Sequence, residues 1–138
     1  MMYISEVMTK NVRIGSPEDT LQMAAEMMGD CDFGILPIED NNQLVGMLSD
    51  RDITIRAVAK GFSPNEHHVR EIMTRDVQFI YEDETVEDAA QMMSSLQVRR
   101  LPVVDIDEHL VGIVSLGDLA ISGDEAAGDA LESISQPN

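Results

Sequence analysis

Apolar and polar positions follow two rhythms along the chain, and each rhythm occurs twice. Leu21, Ala24, Ala25 and Met28 fall at helical spacing, and Val86, Ala89, Ala90 and Met93 do the same further on. Val12 with Ile14 alternates as a strand does, while Leu36-Pro37-Ile38 and the run Leu44 to Leu48 read as strands bounded by turns. Ser16-Pro17-Glu18-Asp19 marks the turn into the first helix, with Ser16 or Thr20 available as its cap. Asp40-Asn41-Asn42 separates the two later strands, and Asp105 to His109 does so in the second half. A further helix follows Ser49 and is predicted to run to Lys60, where Gly61 stops it. Pro37 has no N–H to give to a ladder, so it is expected at a strand start or on an edge.

The rhythms coincide when the chain is shifted by 65 residues. Val7-Met8-Thr9 then falls on Ile72-Met73-Thr74, Met27-Met28 on Met92-Met93, and Leu36-Pro37 on Leu101-Pro102. With one extra residue in the second copy, Leu44-Val45-Gly46 meets Leu110-Val111-Gly112, Ser49 meets Ser115, and Asp52 meets Asp118. So many ordered matches mark a duplication. Each copy reads β-α-β-β-α, which makes the fold class α/β (α+β) with two tandem repeats. A unit of this size buries little surface alone, so the repeats are expected to pack with pseudo-twofold symmetry around clefts suited to a ligand. The expected boundaries are 1–62 for repeat 1, 63–70 for a linker, 71–122 for repeat 2, and 123–138 for an acidic tail holding a short amphipathic helix. The methionine pairs are expected in the core or at a subunit contact.

Charge narrows the partners. Nine Lys and Arg face 26 Asp and Glu across 138 residues, a formal net charge of −17. Such a chain is repelled by phosphate backbones and anionic lipid, which disfavours nucleic acid and membrane surfaces as partners. No apolar run is long enough for a transmembrane helix, and the single Cys31 calls for no oxidising compartment, so a cytoplasmic location is expected. Cys31 has no basic activator near it in sequence, and no phosphate loop or nucleophile elbow is present. These features argue against an enzyme. His67-His68 lies in the polar link and His109 in a turn, neither with zinc-like ligand spacing, so no metal site is expected.

One element stands out in both copies: Gly46-Met47-Leu48-Ser49-Asp50-Arg51-Asp52 and Gly112-Ile113-Val114-Ser115-Leu116-Gly117-Asp118. Each reads as a strand ending in Gly-x-x-Ser-x-x-Asp where a helix begins. Ser followed three residues later by an acid is itself a helix start signal, in which the two side chains satisfy free backbone donors. The same geometry suits a nucleotide: a helix start with a Ser hydroxyl attracts phosphate, an Asp accepts from ribose hydroxyls, and the Gly lets a base approach the backbone.

These elements, with the Val-Met-Thr and Ile-Met-Thr openings and the Leu-Pro-Ile and Leu-Pro-Val-Val-Asp strands, resemble a pair of CBS (cystathionine β-synthase) domains, together a Bateman module. The resemblance covers Ile4 to Ile121 and extends, through Ser49 to Pro64, to stand-alone bacterial two-CBS proteins of the hypoxic response protein type. It implies a non-catalytic regulatory module, dimeric in many members, that requires no cofactor and binds an adenosine-containing ligand such as AMP, ADP, ATP, NAD(H) or S-adenosylmethionine between the repeats. By position, Asp52 and Asp118 would hold ribose hydroxyls, with Ser49 and Ser115 near ribose or phosphate. Adenine would rest near Val12 and Val77 and against Pro37 and Pro102. Arg100, with Arg99 beside it, would meet phosphates, whereas copy one has Gly34-Ile35 there and carries Arg51 in its helix-start element instead. Lys10 and Arg75 are lesser candidates. The alternative is a ligand-free dimeric scaffold that docks an unidentified protein partner.

Overall fold

A computed structural model describes residues 1–31 and 34–121. The tail expected at 123–138, with its short helix, lies outside the described residues. In chain order the elements are α1 (Ile4–Val7), α2 (Leu21–Cys31), β1 (Ile35–Asp40), β2 (Gln43–Ser49), α3 (Asp50–Asp52), β3 (Ile80–Tyr81), α4 (Val86–Leu96), β4 (Arg100–Val104), β5 (Leu110–Ser115) and α5 (Leu116–Ile121). Helix α3 continues as a π turn, Ile53–Ala57, and a 3₁₀ turn, Val58–Lys60, and Gly61 ends it in the left-handed region at φ 75°. The predicted stop at Gly61 is therefore the observed one.

Two compact units form, divided at Val12/Arg13 and Val77/Gln78. The unit Arg13–Val77 is built on the antiparallel pair β1–β2, with Ile35 opposite Ser49 and Pro37 opposite Met47. Its core gathers Leu21, Ala24 and Met28 of α2, Leu36 and Ile38 of β1, Leu48, and Val69, Ile72 and Met73 from the end of the link and the segment that follows it. That segment holds a 3₁₀ turn, Val69–Glu71, and bonds to the start of α2 and the turn before it: Val69 N–H donates to Asp19 O at 2.9 Å and Leu21 N–H to His67 O at 3.1 Å.

The second unit joins Met1–Val12 to the chain from Gln78 onward. Its sheet runs β3-β4-β5, with β3 parallel and β5 antiparallel to β4. Ile4 of α1, Val86, Ala89, Ala90 and Met93 of α4, Leu101, Val103, Val114 and Leu119 fill the core. Burying a side chain of this size contributes roughly 1.5–3 kcal/mol, so the helical stripes seen in the sequence carry much of each unit's stability. Met28 and Met93 are buried, and Met27 and Met92 pack against the same cores from half-buried positions, as expected.

One strand expectation needs correction. Val12 and Ile14 form no strand; only Gly15 pairs there, donating to Pro37 O at 2.9 Å and accepting from Glu39 N–H at 3.0 Å. The matching Val77 and Phe79 form no strand either, and Pro17 limits the pairing beyond Gly15. In the other unit the strand goes one step further because Glu82 N–H donates to Val104 O at 2.9 Å, and Pro17, the matching residue, has no N–H. Pro37 lies on an edge strand, β1 of a two-stranded sheet, as expected, whereas its counterpart Pro102 takes the third place in β4, the central strand of the other sheet. The Pro37 carbonyl faces Gly15, so its ring nitrogen faces that side too, just before the parallel pairing begins, and no ladder bond is lost.

Candidate functional site

The two Gly-x-x-Ser-x-x-Asp elements fold alike. At the end of β2, Ser49 N–H donates to Asp52 Oδ2 at 2.9 Å, and Asp52 N–H returns a bond to Ser49 Oγ at 3.1 Å. At the end of β5, Ser115 N–H donates to Asp118 Oδ2 at 2.9 Å and Asp118 N–H to Ser115 Oγ at 3.1 Å. Both are capping boxes, and each commits one carboxylate oxygen to its own helix start. The second oxygen distinguishes the copies. Arg56 Nε stands 3.7 Å from Asp52 Oδ1, while Asp118 Oδ1 has no hydrogen-bond or ion-pair partner among the described residues. Arg56 was missed in the sequence reading, although it lies one helical turn beyond Asp52, a spacing that signals such pairs. It also donates from Nη1 to Ile72 O at 3.2 Å.

Around the second box the structure assembles more of the expected set. Arg100 is the strand partner of Ser115, and Leu116 N–H donates to Arg99 O at 2.9 Å, so both arginines sit at the level of the helix start. Pro102, buried, is opposite Ile113. At the first box, Ile35 is opposite Ser49, and Asp50 N–H donates to Gly34 O at 2.9 Å, so no basic residue occupies the matching place. Arg51 is exposed, and its backbone N–H donates to Asp50 Oδ1 at 2.8 Å. Val77 is half-buried in the same unit as Ser49, whereas Val12 belongs to the unit of Ser115. Of the lesser candidates, Lys10 is exposed and Arg75 donates from Nη2 to Arg70 O at 2.9 Å.

The glycines of the two elements serve packing. A Cβ on Gly46 would stand 2.9 Å from Thr74 O, and one on Gly112 would stand 2.7 Å from Thr9 O. Their open faces are covered by the chain's own Met73-Thr74 and Met8-Thr9, which removes the expected role of admitting a base.

Two other clusters carry titratable groups. Glu71 accepts from His68 N–H at 2.6 Å and lies 2.9 Å from His67 Nδ1, and the His67 ring stacks on Phe62. The His67 hydrogen bond, followed by that from the His68 backbone, holds the Glu71 carboxyl below its ordinary value of 4.5. In the β4–β5 turn, Asp105, Asp107 and His109 bring one ligand atom each within 4.8 Å of one another, a donor set a cation could use. Asp105 Oδ1 is already engaged there, accepting N–H bonds from Asp107 at 3.0 Å and His109 at 2.9 Å. No helix among the described residues is long and apolar enough to cross a membrane.

Residues 4–58 and 69–125 each match the CBS domain family. The chain belongs to that family. The CBS domain-containing protein YhcV of Bacillus subtilis is 41% identical over 140 residues, spanning 100% of this chain and 99% of its own. Among solved structures, Hypoxic Response Protein I with two coordinated zinc ions is 34% identical with a TM-score of 0.79, over 87% of this chain and 98% of that one. CBSX2 of Arabidopsis thaliana in complex with AMP is 27% identical with a TM-score of 0.78, covering 89% and 96%. The CBS domain pair of MJ0100, in complex with 5'-methylthioadenosine and S-adenosyl-L-methionine, is 30% identical with a TM-score of 0.75, covering 89% and 96%. The expected tandem CBS pair and its α+β fold are thus observed.

Proposed function

We propose that this CBS pair is a non-catalytic regulatory module that binds an adenosine-containing ligand through its Ser-Asp helix starts. The observation that carries the reading is the grouping of Arg100, Ser115 and Asp118 at the end of β5. It unites a cation for phosphate, a hydroxyl, and a carboxylate oxygen left over for ribose. AMP, 5'-methylthioadenosine and S-adenosylmethionine, the ligands of the two similar CBS pairs, share only the adenosine portion, which supports recognition of that portion. Asp118 is the stronger of the two carboxylates, because Arg56 opposes the second oxygen of Asp52. The module acts as a cytoplasmic homodimer whose ligand alters what a protein partner meets, through different affinity in two states.

Calorimetric titration of AMP and S-adenosylmethionine into the whole chain tests this. Wild type binds at least one of them, Asp118→Ala abolishes binding, and Asp52→Ala weakens it less. Absence of heat with both ligands, or unchanged affinity in both variants, refutes the proposal.

The capping boxes favour a second reading. They account for both Ser-Asp pairs as helix starts with no ligand at all, as in a dimeric scaffold that docks a partner. That reading predicts a null titration together with a stable complex indifferent to added nucleotide.

A further inference from the structure

The two units share a backbone arrangement but furnish it differently at one place. In the unit Arg13–Val77, Arg70 N–H donates to Pro17 O at 3.0 Å, next to the Val69–Asp19 bond. In the other unit, Ser5 N–H donates to Glu82 O at 3.0 Å, next to the bond from Ile4 N–H to Glu84 O at 2.9 Å. Ser5 therefore stands where Arg70 stands, and Asp83 where Glu18 stands. Arg70 Nη1 meets Glu18 Oε2 at 2.6 Å. A serine cannot make that pair.

Where the arginine is missing there is a cavity of about 350 Å³, lined by Tyr3, Ser5, Glu82, Asp83, Asp105 and Ile106. The carboxylates of Glu82 and Asp83 and the Tyr3 hydroxyl have no partners among the described residues. Ile106 is 89% exposed and Tyr3 47%. The only Lys and Arg of this unit are Lys10, Arg99 and Arg100, and none lines the cavity.

We propose that this cavity docks an arginine side chain of a partner protein, whose guanidinium takes the place that Arg70 fills in the other unit. In the other unit the matching arginine makes an ion pair with the matching acid from a half-exposed position. A guanidinium offers a planar fork to carboxylates, and the Tyr3 ring offers it an aromatic face. A cavity at the small end of the ligand range suits a side chain with an apolar neighbour lying over Ile106. The strongly negative chain speeds the encounter with a basic segment. None of the lining residues belongs to the Ser-Asp boxes, so this docking stands apart from adenosine binding.

The test is an amide NMR titration of the full ¹⁵N-labelled chain with acetyl-Leu-Arg-Ile-amide. Shifts are expected at Tyr3, Ser5, Glu82, Asp83 and Ile106. Replacing the arginine by citrulline, its neutral near-isostere, weakens binding about ten-fold, the loss of a charge-assisted contact. Asp83→Asn removes a carboxylate and Ser5→Arg fills the cavity from within, and both abolish the shifts while keeping the amide spectrum. Equal affinity for the citrulline peptide, or persistence of binding in a folded Ser5→Arg variant, overturns the proposal. Equal affinity for N-acetyl-arginine amide alone marks a site for small cations and overturns the docking of a protein.

Discussion

Gly112 lies directly beneath the carbonyl of Thr9, so that a Cβ there would come within 2.7 Å of the oxygen. Thr9 cannot yield without breaking its own bonds, in which its N–H donates to Ile113 O at 2.8 Å and its carbonyl accepts from Ile113 N–H at 3.0 Å. Gly112→Ala is therefore expected to cost about 1–3 kcal/mol, the range for overpacking. Gly46→Ala should behave alike against Thr74. Gly29 in α2 has open space around it, so Gly29→Ala should stabilise by about 0.5–1 kcal/mol through helix propensity. Urea unfolding of the three variants separates these signs, and a neutral Gly112→Ala would show that the close approach is not real.

The capping boxes predict a difference between two substitutions at one site. Asp118→Ala removes the acceptor of the Ser115 N–H and should destabilise by about 1 kcal/mol. Asp118→Asn keeps an amide oxygen able to accept the same bond, so its unfolding midpoint should stay near that of wild type. Equal losses in the two variants would point to charge, not the hydrogen bond, as what the helix start needs.

Much of this could be read from residue order alone. The matched helical stripes and the paired Ser-Asp spacings depend on local rules, and the structure reproduces both. The assignment of the terminal arms could not be read. A shift of 65 residues maps Ile4 onto Val69 whichever unit each arm joins, because the same apolar side chain fills either core. The cavity beside Ser5 was equally hidden, since Ser5 and Asp83 are distant in sequence and are brought together by the bond between Ser5 N–H and Glu82 O. The Arg56–Asp52 pair was within reach of the helix predicted from Ser49 to Lys60, whereas the π turn at Ile53–Ala57 is a departure that no periodicity marks.

Acid should loosen the segment around Glu71. Its carboxyl is held below 4.5 by His67 and the His68 N–H, so the folded state binds its proton less readily than the unfolded chain does. Stability from this group is fully present above 4.5 and is lost as pH falls through the lower, folded-state value. Glu71→Gln has no such titration, so its deficit relative to wild type should shrink as pH drops below that point. Unfolding midpoints measured from neutral pH down to about pH 3 bracket the ordinary carboxylate range. A deficit independent of pH would contradict the assignment.

Pro17 is the residue that ends the parallel pairing of the unit Arg13–Val77, and replacing it should lengthen that pairing. Glu82, its counterpart, spends its N–H on Val104 O at 2.9 Å, and Pro17→Ala restores an amide facing the matching acceptor, Glu39 O. The variant gives up the proline's hold on the unfolded chain, worth about 0.4–1 kcal/mol, and gains one backbone hydrogen bond of similar size. Little net change in stability is expected. The decisive measurement is hydrogen exchange at the new amide, which should be protected to the degree of Glu82, whereas exchange as fast as at an open turn would mean that the neighbouring Ser16-Asp19 turn, closed by Ser16 N–H donating to Asp19 Oδ2 at 2.8 Å, ends the strand instead.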